Sequence, residues 1–245
     1  MRKYVTNEEL EALSSAFIRE FTKLFQFSEM NCVDIETFVT EFLGLTIRYE
    51  TIVEGADKLG FIADGRHPLK VKQNGKVQTI VFPGNTIIIE KSLTEEPEWD
   101  RKRFTIAHEA AHRIMEKHFS MERQAAFHSD YDPEMKYTNQ MLSELFDSNE
   151  ASVNRMAACL LMPDYLVKRV LEKCNGGKPV TIYDGGVLSA RGKTLIRKMA
   201  DMMGVSFQAF FNRLKELKLL KARPIGEYIL KEYYCGGHKN GTVDR

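Results

Sequence analysis

The sequence predicts an α+β protein in which helices flank a small, mostly antiparallel sheet. Three observations carry this prediction: apolar residues at helical spacing near the N-terminus, short β-branched segments between residues 45 and 90, and a return of helical spacing from residue 100 onward. With 245 residues, of which 43% are hydrophobic, the chain can bury one large core.

Residues 1–30 are predicted to form an N-terminal amphipathic helix. Thr6 and Glu9 have the spacing of a capping box. Apolar residues follow them at helical intervals: Leu10, Leu13, Phe17, Phe21 and Leu24. A second helix is expected to begin with Asp34 as its N-cap and to end at Gly44.

Five short segments after Gly44 are predicted to be strands. They are rich in β-branched residues and lie at residues 45–49, 60–63, 71–72, 77–82 and 86–90. The residues between them are typical of turns: Gly65, Asn74-Gly75 and Pro83-Gly84. Strands this short, joined by tight turns, favour antiparallel pairing between neighbours in sequence.

The most specific motif of the chain is His108-Glu109-Ala110-Ala111-His112, on a helix predicted to follow the acidic residues around 95–100. Residues four apart lie on one helical face, so both imidazoles can reach one metal ion, with Glu109 beside a bound water. A structural zinc site normally has four protein ligands, often cysteines. Two histidines and an adjacent carboxylate therefore predict a zinc hydrolase, and the alternative is a polar patch on a helix.

A catalytic zinc needs a third protein ligand, and two residues compete for that role. His118 has the spacing of an extended histidine motif, but Met115 stands where that motif needs a glycine to leave the helix. Glu150 lies four residues before Asn154, so a carboxylate and a carboxamide share one helical face. The sequence favours Glu150 as the ligand, as in the thermolysin type, with Asn154 accepting a hydrogen bond from one of the ligand histidines.

Residues 119–149 show no clear periodicity and predict an irregular excursion near the site. Helical spacing resumes near Glu150 and ends at Pro163. Four residues have side chains able to stabilise an oxyanion, although spacing selects none of them: His128, Tyr131, Tyr137 and Tyr183.

Charge and cysteine usage exclude some classes of protein. The formal net charge is +1, which by itself indicates neither a nucleic-acid nor a membrane partner. The cysteines form no C-x-x-C pair and are typical of a reduced intracellular protein: Cys32, Cys159, Cys174 and Cys235. The N-terminus has no apolar stretch of a secretory signal, and no apolar run approaches bilayer length. We therefore expect a cytoplasmic protein without a membrane partner.

Taken together, these motifs resemble the ImmA/IrrE family of zinc metallopeptidases. The matching segments are Arg103-Phe104-Thr105-Ile106-Ala107-His108-Glu109-Ala110-Ala111-His112, Glu150-x-x-x-Asn154-x-x-Ala157-Ala158-x-Leu160-Leu161-Met162-Pro163, and the shorter segments 33–36, 43–45 and 60–63. Two departures are the long excursion between His112 and Glu150, and Ala111 where a glycine is common.

The resemblance implies a zincin-like minimal metallopeptidase domain at residues 31–175, with two zinc-binding helices. It implies that His108, His112 and Glu150 bind zinc and that Glu109 is the general base. Members of the family are intracellular endopeptidases, and several cleave a helix-turn-helix repressor and so derepress a mobile element or a stress regulon. A repressor of that kind is the protein partner that the resemblance implies.

Residues 176–226 are predicted to form a helical subdomain that resembles a helix-turn-helix, with Gly204 at the turn and Ser206 capping the second helix. Basic residues dominate this segment: Arg191, Lys193, Arg197, Lys198, Arg213, Lys215, Lys218, Lys221 and Arg223. One interpretation is a DNA-binding or protein-binding regulator whose zinc site is sensory or inactive. The apolar residues of the second helix favour the other interpretation, a packing subdomain. Residues 227–245 are expected to be a flexible tail.

Overall fold

The fold joins helical layers to one small sheet. In this computed structural model, residues 5–27, 29–53, 58–119 and 148–234 are described. The helices in that part are α1 (Asn7–Leu24), α2 (Ile35–Thr37), α3 (Trp99–Phe119), α4 (Ser148–Leu161), α5 (Asp164–Asn175), α6 (Ala190–Met203), α7 (Phe207–Glu216) and α8 (Ile225–Ile229). The strands are β1 (Thr46–Ile52), β2 (Gly60–Ile62), β3 (Pro68–Gln73), β4 (Lys76–Val81), β5 (Thr86–Glu90), β6 (Val180–Tyr183) and β7 (Leu220–Arg223). The predicted α+β class is confirmed.

The first five strands form one mixed sheet in the order β2-β5-β1-β3-β4. The β1–β5 pair is parallel, and the other three pairs are antiparallel. Asn74 and Gly75, with φ of 51° and 78°, form the tight turn between β3 and β4, as their dipeptide chemistry predicts. The order leaves β2 at an edge of the sheet, where it packs against α3.

The N-terminal helices begin where the sequence predicts. The Thr6 hydroxyl accepts a hydrogen bond from the Glu9 backbone N–H, and the Glu9 carboxylate accepts one from the Thr6 backbone N–H. Asp34 caps α2 by accepting from the Thr37 backbone N–H. The second helix differs from the prediction in its last part, because residues Phe38–Phe42 form a π-helical turn in which the two terminal rings stack 5.4 Å apart.

One hydrophobic core runs through α1 and α3 to α7. The core includes Leu171, before the predicted domain boundary at residue 175, and Ile196, Met203 and Phe210 after it. These apolar side chains are all buried, so the helix-turn-helix-like segment shares its core with the helices that carry the metal motif. None of the helices that the structure describes is long and apolar enough to cross a bilayer.

The turn between α6 and α7 has the predicted local chemistry. Gly204 has a φ of 63°, and the Ser206 hydroxyl accepts a hydrogen bond from the Ala209 backbone N–H. The second helix of this pair, α7, ends at Glu216, and Lys218 turns the chain with a φ of 56°. Nearly all of α7 is then covered, and Arg213 is among its fully buried side chains.

Two strands were not predicted from the sequence. β6 and β7 pair in parallel across the helical segment, from Val180 opposite Leu220 to Tyr183 opposite Arg223. β6 consists of β-branched and aromatic residues typical of strands, but it is only four residues long. Its partner β7 is equally short, exposed and partly basic, so its sequence does not indicate a strand. Residues 225–234, partly within the segment predicted as a flexible tail, are helical, and residues 235–245 lie outside the described part.

Candidate metal centre

The candidate site lies between α3 and α4. His108 contacts Asn154, and His112, one turn later on α3, contacts Glu150, one turn earlier on α4. This pairing means that the two helices run antiparallel, each contributing two polar side chains four residues apart. Extensive apolar packing between the helices holds these side chains together, because Ala107, Ala111 and Ala157 are fully buried at the interface.

Three side chains converge on one point. The Nε2 atoms of His108 and His112 are 3.1 Å apart. The Glu150 carboxylate lies 3.6 Å from the His108 Nε2 and 3.5 Å from the His112 Nε2. Within the described part of the chain, this is the one group of histidine, cysteine or acidic residues that could hold a metal ion.

These distances fit a tetrahedral metal ion. Adjacent ligands bonded at about 2.0–2.1 Å to a tetrahedral ion are separated by roughly 3.3–3.4 Å. The two Nε2 atoms are 3.1 Å apart, and each lies near a different oxygen of the Glu150 carboxylate, His108 at 3.6 Å from Oε2 and His112 at 3.5 Å from Oε1, so these distances are close to that value. Two imidazole nitrogens and one carboxylate oxygen are also a borderline donor set, as a catalytic divalent ion prefers, and they leave one coordination position for water or substrate.

Asn154 orients one of the two imidazoles. Its Oδ1 lies 2.9 Å from the Nδ1 of His108, so the ring donates its Nδ1 proton to the amide oxygen. The Nε2 of His108 is then left without a proton and can bind a metal through its lone pair. The structure thus places Asn154 beside His108, one of the two partners that the helical spacing allows.

Glu109 is buried next to the three converging side chains, with 6% of its surface exposed. Burial first, and then the negative charge of Glu150, raise the pKa of its carboxyl to about 8. The positive charge of Lys58 and a hydrogen bond donated by the Ile62 backbone N–H act in the opposite direction. A carboxyl group with such a pKa can both take up and release a proton near neutral pH.

Gly60 lets β2 approach Glu109 closely, a feature that the sequence analysis did not identify. A Cβ at this position would lie 2.6 Å from the Thr105 Cγ2 and 2.8 Å from the Glu109 Oε1. The only sequence signal is a glycine inside a strand-like segment, which often marks a close approach of the backbone to another group.

We expect Gly60→Ala to lower the free energy of unfolding by about 1–3 kcal/mol, because the added methyl must displace α3 or the Glu109 side chain. Thermal unfolding measures this loss. Gly226→Ala is the matched control, since a Cβ at residue 226 has nothing within 4 Å. Equal stability of the two variants would show that β2 and α3 have room to separate at this point.

The other sequence candidates lie away from the cluster or outside the described residues. α3 continues through Met115 to Phe119, and the exposed His118 ring packs 5.4 Å from the Phe17 ring. Tyr183 lies in β6, with its ring 5.2 Å from that of Tyr228. His128, Tyr131 and Tyr137 belong to the predicted excursion, of which residues 120–147 lie outside the described part.

Comparison with known families agrees with this site. The model of a family described as IrrE N-terminal-like domain, Peptidase_M78, matches residues 65–215, more than half of the chain. The match begins just before β3 and ends in α7, so it includes all the residues of the candidate site on α3 and α4. A comparison with curated proteins gives no significant match.

Proposed function

The chain belongs to the IrrE N-terminal-like domain family, the ImmA/IrrE type of metallopeptidase, and on that premise we propose that it is a zinc-dependent endopeptidase. His108, His112 and Glu150 would hold the zinc ion, and Glu109 would be the general base. The observation that carries the proposal is the convergence of these three ligand atoms, within 4.8 Å of one another, beside a buried carboxyl group.

Each residue has a defined part in the proposed hydrolysis. Zinc, when bound, lowers the pKa of the attacking water and polarises the scissile carbonyl. Glu109 would accept the proton of that water and pass it to the leaving amine. Asn154 would keep the His108 ring in the orientation and tautomer needed for zinc binding. Burial of Glu109 keeps bulk water from its carboxyl group.

The edge of β2 that faces away from β5 has no neighbouring strand among the described residues and is a suitable place for the substrate backbone. Leu59 and Ala63 direct their backbone hydrogen bonds toward β5, so the alternate residues Gly60 and Ile62 direct theirs to this outer edge. The Ile62 N–H already meets Glu109 there. An extended peptide that adds to this edge would therefore pass beside the proposed base.

As substrate we propose a helix-turn-helix repressor or a similar regulatory protein in the cytoplasm, whose cleavage derepresses a mobile-element or stress regulon. The support for this substrate is the family membership. The test is co-expression of the chain with a repressor-like protein encoded beside it. We expect one discrete cleavage product that is absent when Glu109→Gln replaces the wild type. An intact repressor in both cultures would contradict this choice of substrate.

The zinc affinities of two variants distinguish Glu150 from His118 as the third ligand. We expect Glu150→Ala to lower zinc affinity far more than His118→Ala, because Glu150 lies within 3.6 Å of both imidazole nitrogens and His118 packs against Phe17. Asn154→Ala should weaken binding about 10- to 100-fold. Metal analysis after dialysis against a graded chelator measures all three affinities. The opposite ranking of Glu150 and His118 would favour the extended histidine site.

A DNA-binding regulator is the second candidate function, and the exposed cations of α6 are the observation that favours it. Arg191, Lys193, Arg197 and Lys198 are all exposed on this helix, which has Asp201 as its acidic residue. The covered α7 is poorly suited to enter a DNA groove, so any contact would be to phosphates through α6. Duplex binding that weakens steeply with salt would support this function, and no binding at low salt would remove it.

A further inference from the structure

A cavity of about 350 Å³ lies between the start of α3, the end of α4 and the start of α7. Its walls are mainly apolar and consist of Phe104, Leu161, Met162, Val205 and Ala209, with Pro97 beside them. Charged groups lie at its rim, where Arg101 and Glu98 pair with each other at 3.7 Å. Its volume is in the range of pockets that bind small molecules or side chains, about 300–1,000 Å³.

This cavity, the α3–α4 pocket, begins one helical turn before the metal-site residue His108 on α3, at Phe104. Arg101, Phe104 and His108 follow one stripe of α3, and the ring centroids of Phe104 and His108 are 6.4 Å apart. On α4, Leu161 lies two turns beyond Asn154 in the antiparallel direction. The pocket therefore lies beside the metal site on α3 and two turns from Asn154 on α4.

We propose that the α3–α4 pocket binds a large apolar side chain of the substrate, and this proposal rests on the proposed peptidase function. Phe104 and Arg101 lie about 6 and 10 Å before His108 along the helix axis. An extended peptide advances about 3.3 Å per residue, so the side chain would belong to the second or third residue from the cleaved bond. A charged side chain would lose its hydration on entering a pocket whose walls are mainly apolar.

The pocket also gives the helix-turn-helix-like segment a role in the peptidase. Val205 and Ala209 come from the turn before α7 and from its first helical turn. The Ser206 hydroxyl between them is used to cap α7. The turn after α6 and the first turn of α7 thus supply one wall of the pocket, and the family match extends through that wall to residue 215.

The test is to fill the pocket with a larger side chain and to measure the cleavage specificity of the variant. Zinc-loaded full-length chain is incubated with a mixture of random synthetic tetradecapeptides, and mass spectrometry identifies the cleaved bonds. We expect the wild type to prefer Leu, Met or Phe at the second or third residue on one side of the bond. Ala209→Phe should lose this preference and lower kcat/KM for the best peptide about 10- to 100-fold. Ala190→Phe, on an exposed face of α6, should behave as the wild type.

A binding measurement keeps the test informative if Ala209→Phe folds poorly. Trp99 is the one tryptophan of the chain, and its ring lies next to Gly204, which precedes the pocket residue Val205. Its fluorescence can follow binding of the best peptide to Glu109→Gln, with and without the smaller change Ala209→Leu. We expect Ala209→Leu to weaken this binding. Cleavage without the apolar preference, or binding that does not depend on residue 209, would overturn the pocket and leave the peptidase assignment intact. Absence of cleavage of any peptide would overturn both.

Discussion

Glu109→Gln is expected to keep zinc bound and to lower kcat by about 10²–10⁴, the usual contribution of a general acid–base group. The amide has the shape of the carboxyl group but cannot take a proton from water. The fold should tolerate the change, because burial and the nearby Glu150 charge already disfavour the ionised form of Glu109. Steady-state cleavage of one defined substrate, together with metal analysis of the same preparation, measures both expected results.

Two outcomes would count against this role for Glu109. Retained cleavage by Glu109→Gln would exclude it as the general base. Loss of zinc along with activity would instead show that the carboxyl group supports the metal ligands. Removal of zinc with a chelator from the wild type provides the matched reference, because it should abolish cleavage through the ligands and leave Glu109 unchanged.

Local features of this fold could be predicted from the sequence because their causes lie within a few residues. The Thr6–Glu9 capping box, the Asn74-Gly75 turn and the Ser206 cap all depend on contacts between near neighbours. The same holds for the metal motif, since helical geometry alone puts His108 and His112 on one face. Pairing the metal motif with Glu150 and Asn154 required only one further helix with two polar residues four positions apart.

The features that could not be predicted depend on contacts between residues distant in the sequence. Gly60 meets Glu109 only because β2 is the edge strand against α3. β6 pairs with β7 across two helices, and the exposed, partly basic β7 has no sequence pattern that would indicate the pair. A count of basic residues in the sequence also does not show which of them are buried in the fold. Arg213 was counted with the cations that could contact phosphate, but its side chain is 1% exposed, and that assignment is wrong.

Arg213 is instead the centre of a buried ionic network. It donates hydrogen bonds to the Glu11 carboxylate at 2.7 Å, to the Met162 carbonyl at 3.0 Å and to the Glu216 carboxylate at 3.2 Å. Glu11 also accepts a hydrogen bond from the backbone N–H of Asp164 at the start of α5. The network therefore joins α1, the end of α4 and α7, and it fixes the helix that carries the proposed ligand Glu150.

We expect Arg213→Ala to lower the free energy of unfolding by about 3–5 kcal/mol, because it leaves the Glu11 carboxylate partly buried without its cation. For a chain of this length the melting temperature should fall by roughly 10 °C, as measured by calorimetry. Arg197→Ala, which removes an exposed cation from α6, is the control and should change the stability by less than about 0.5 kcal/mol. Adding Glu11→Gln to Arg213→Ala should recover part of the loss, since it removes the uncompensated charge. Equal effects of the two arginine substitutions would mean that the network does not hold α7 against α1 and α4.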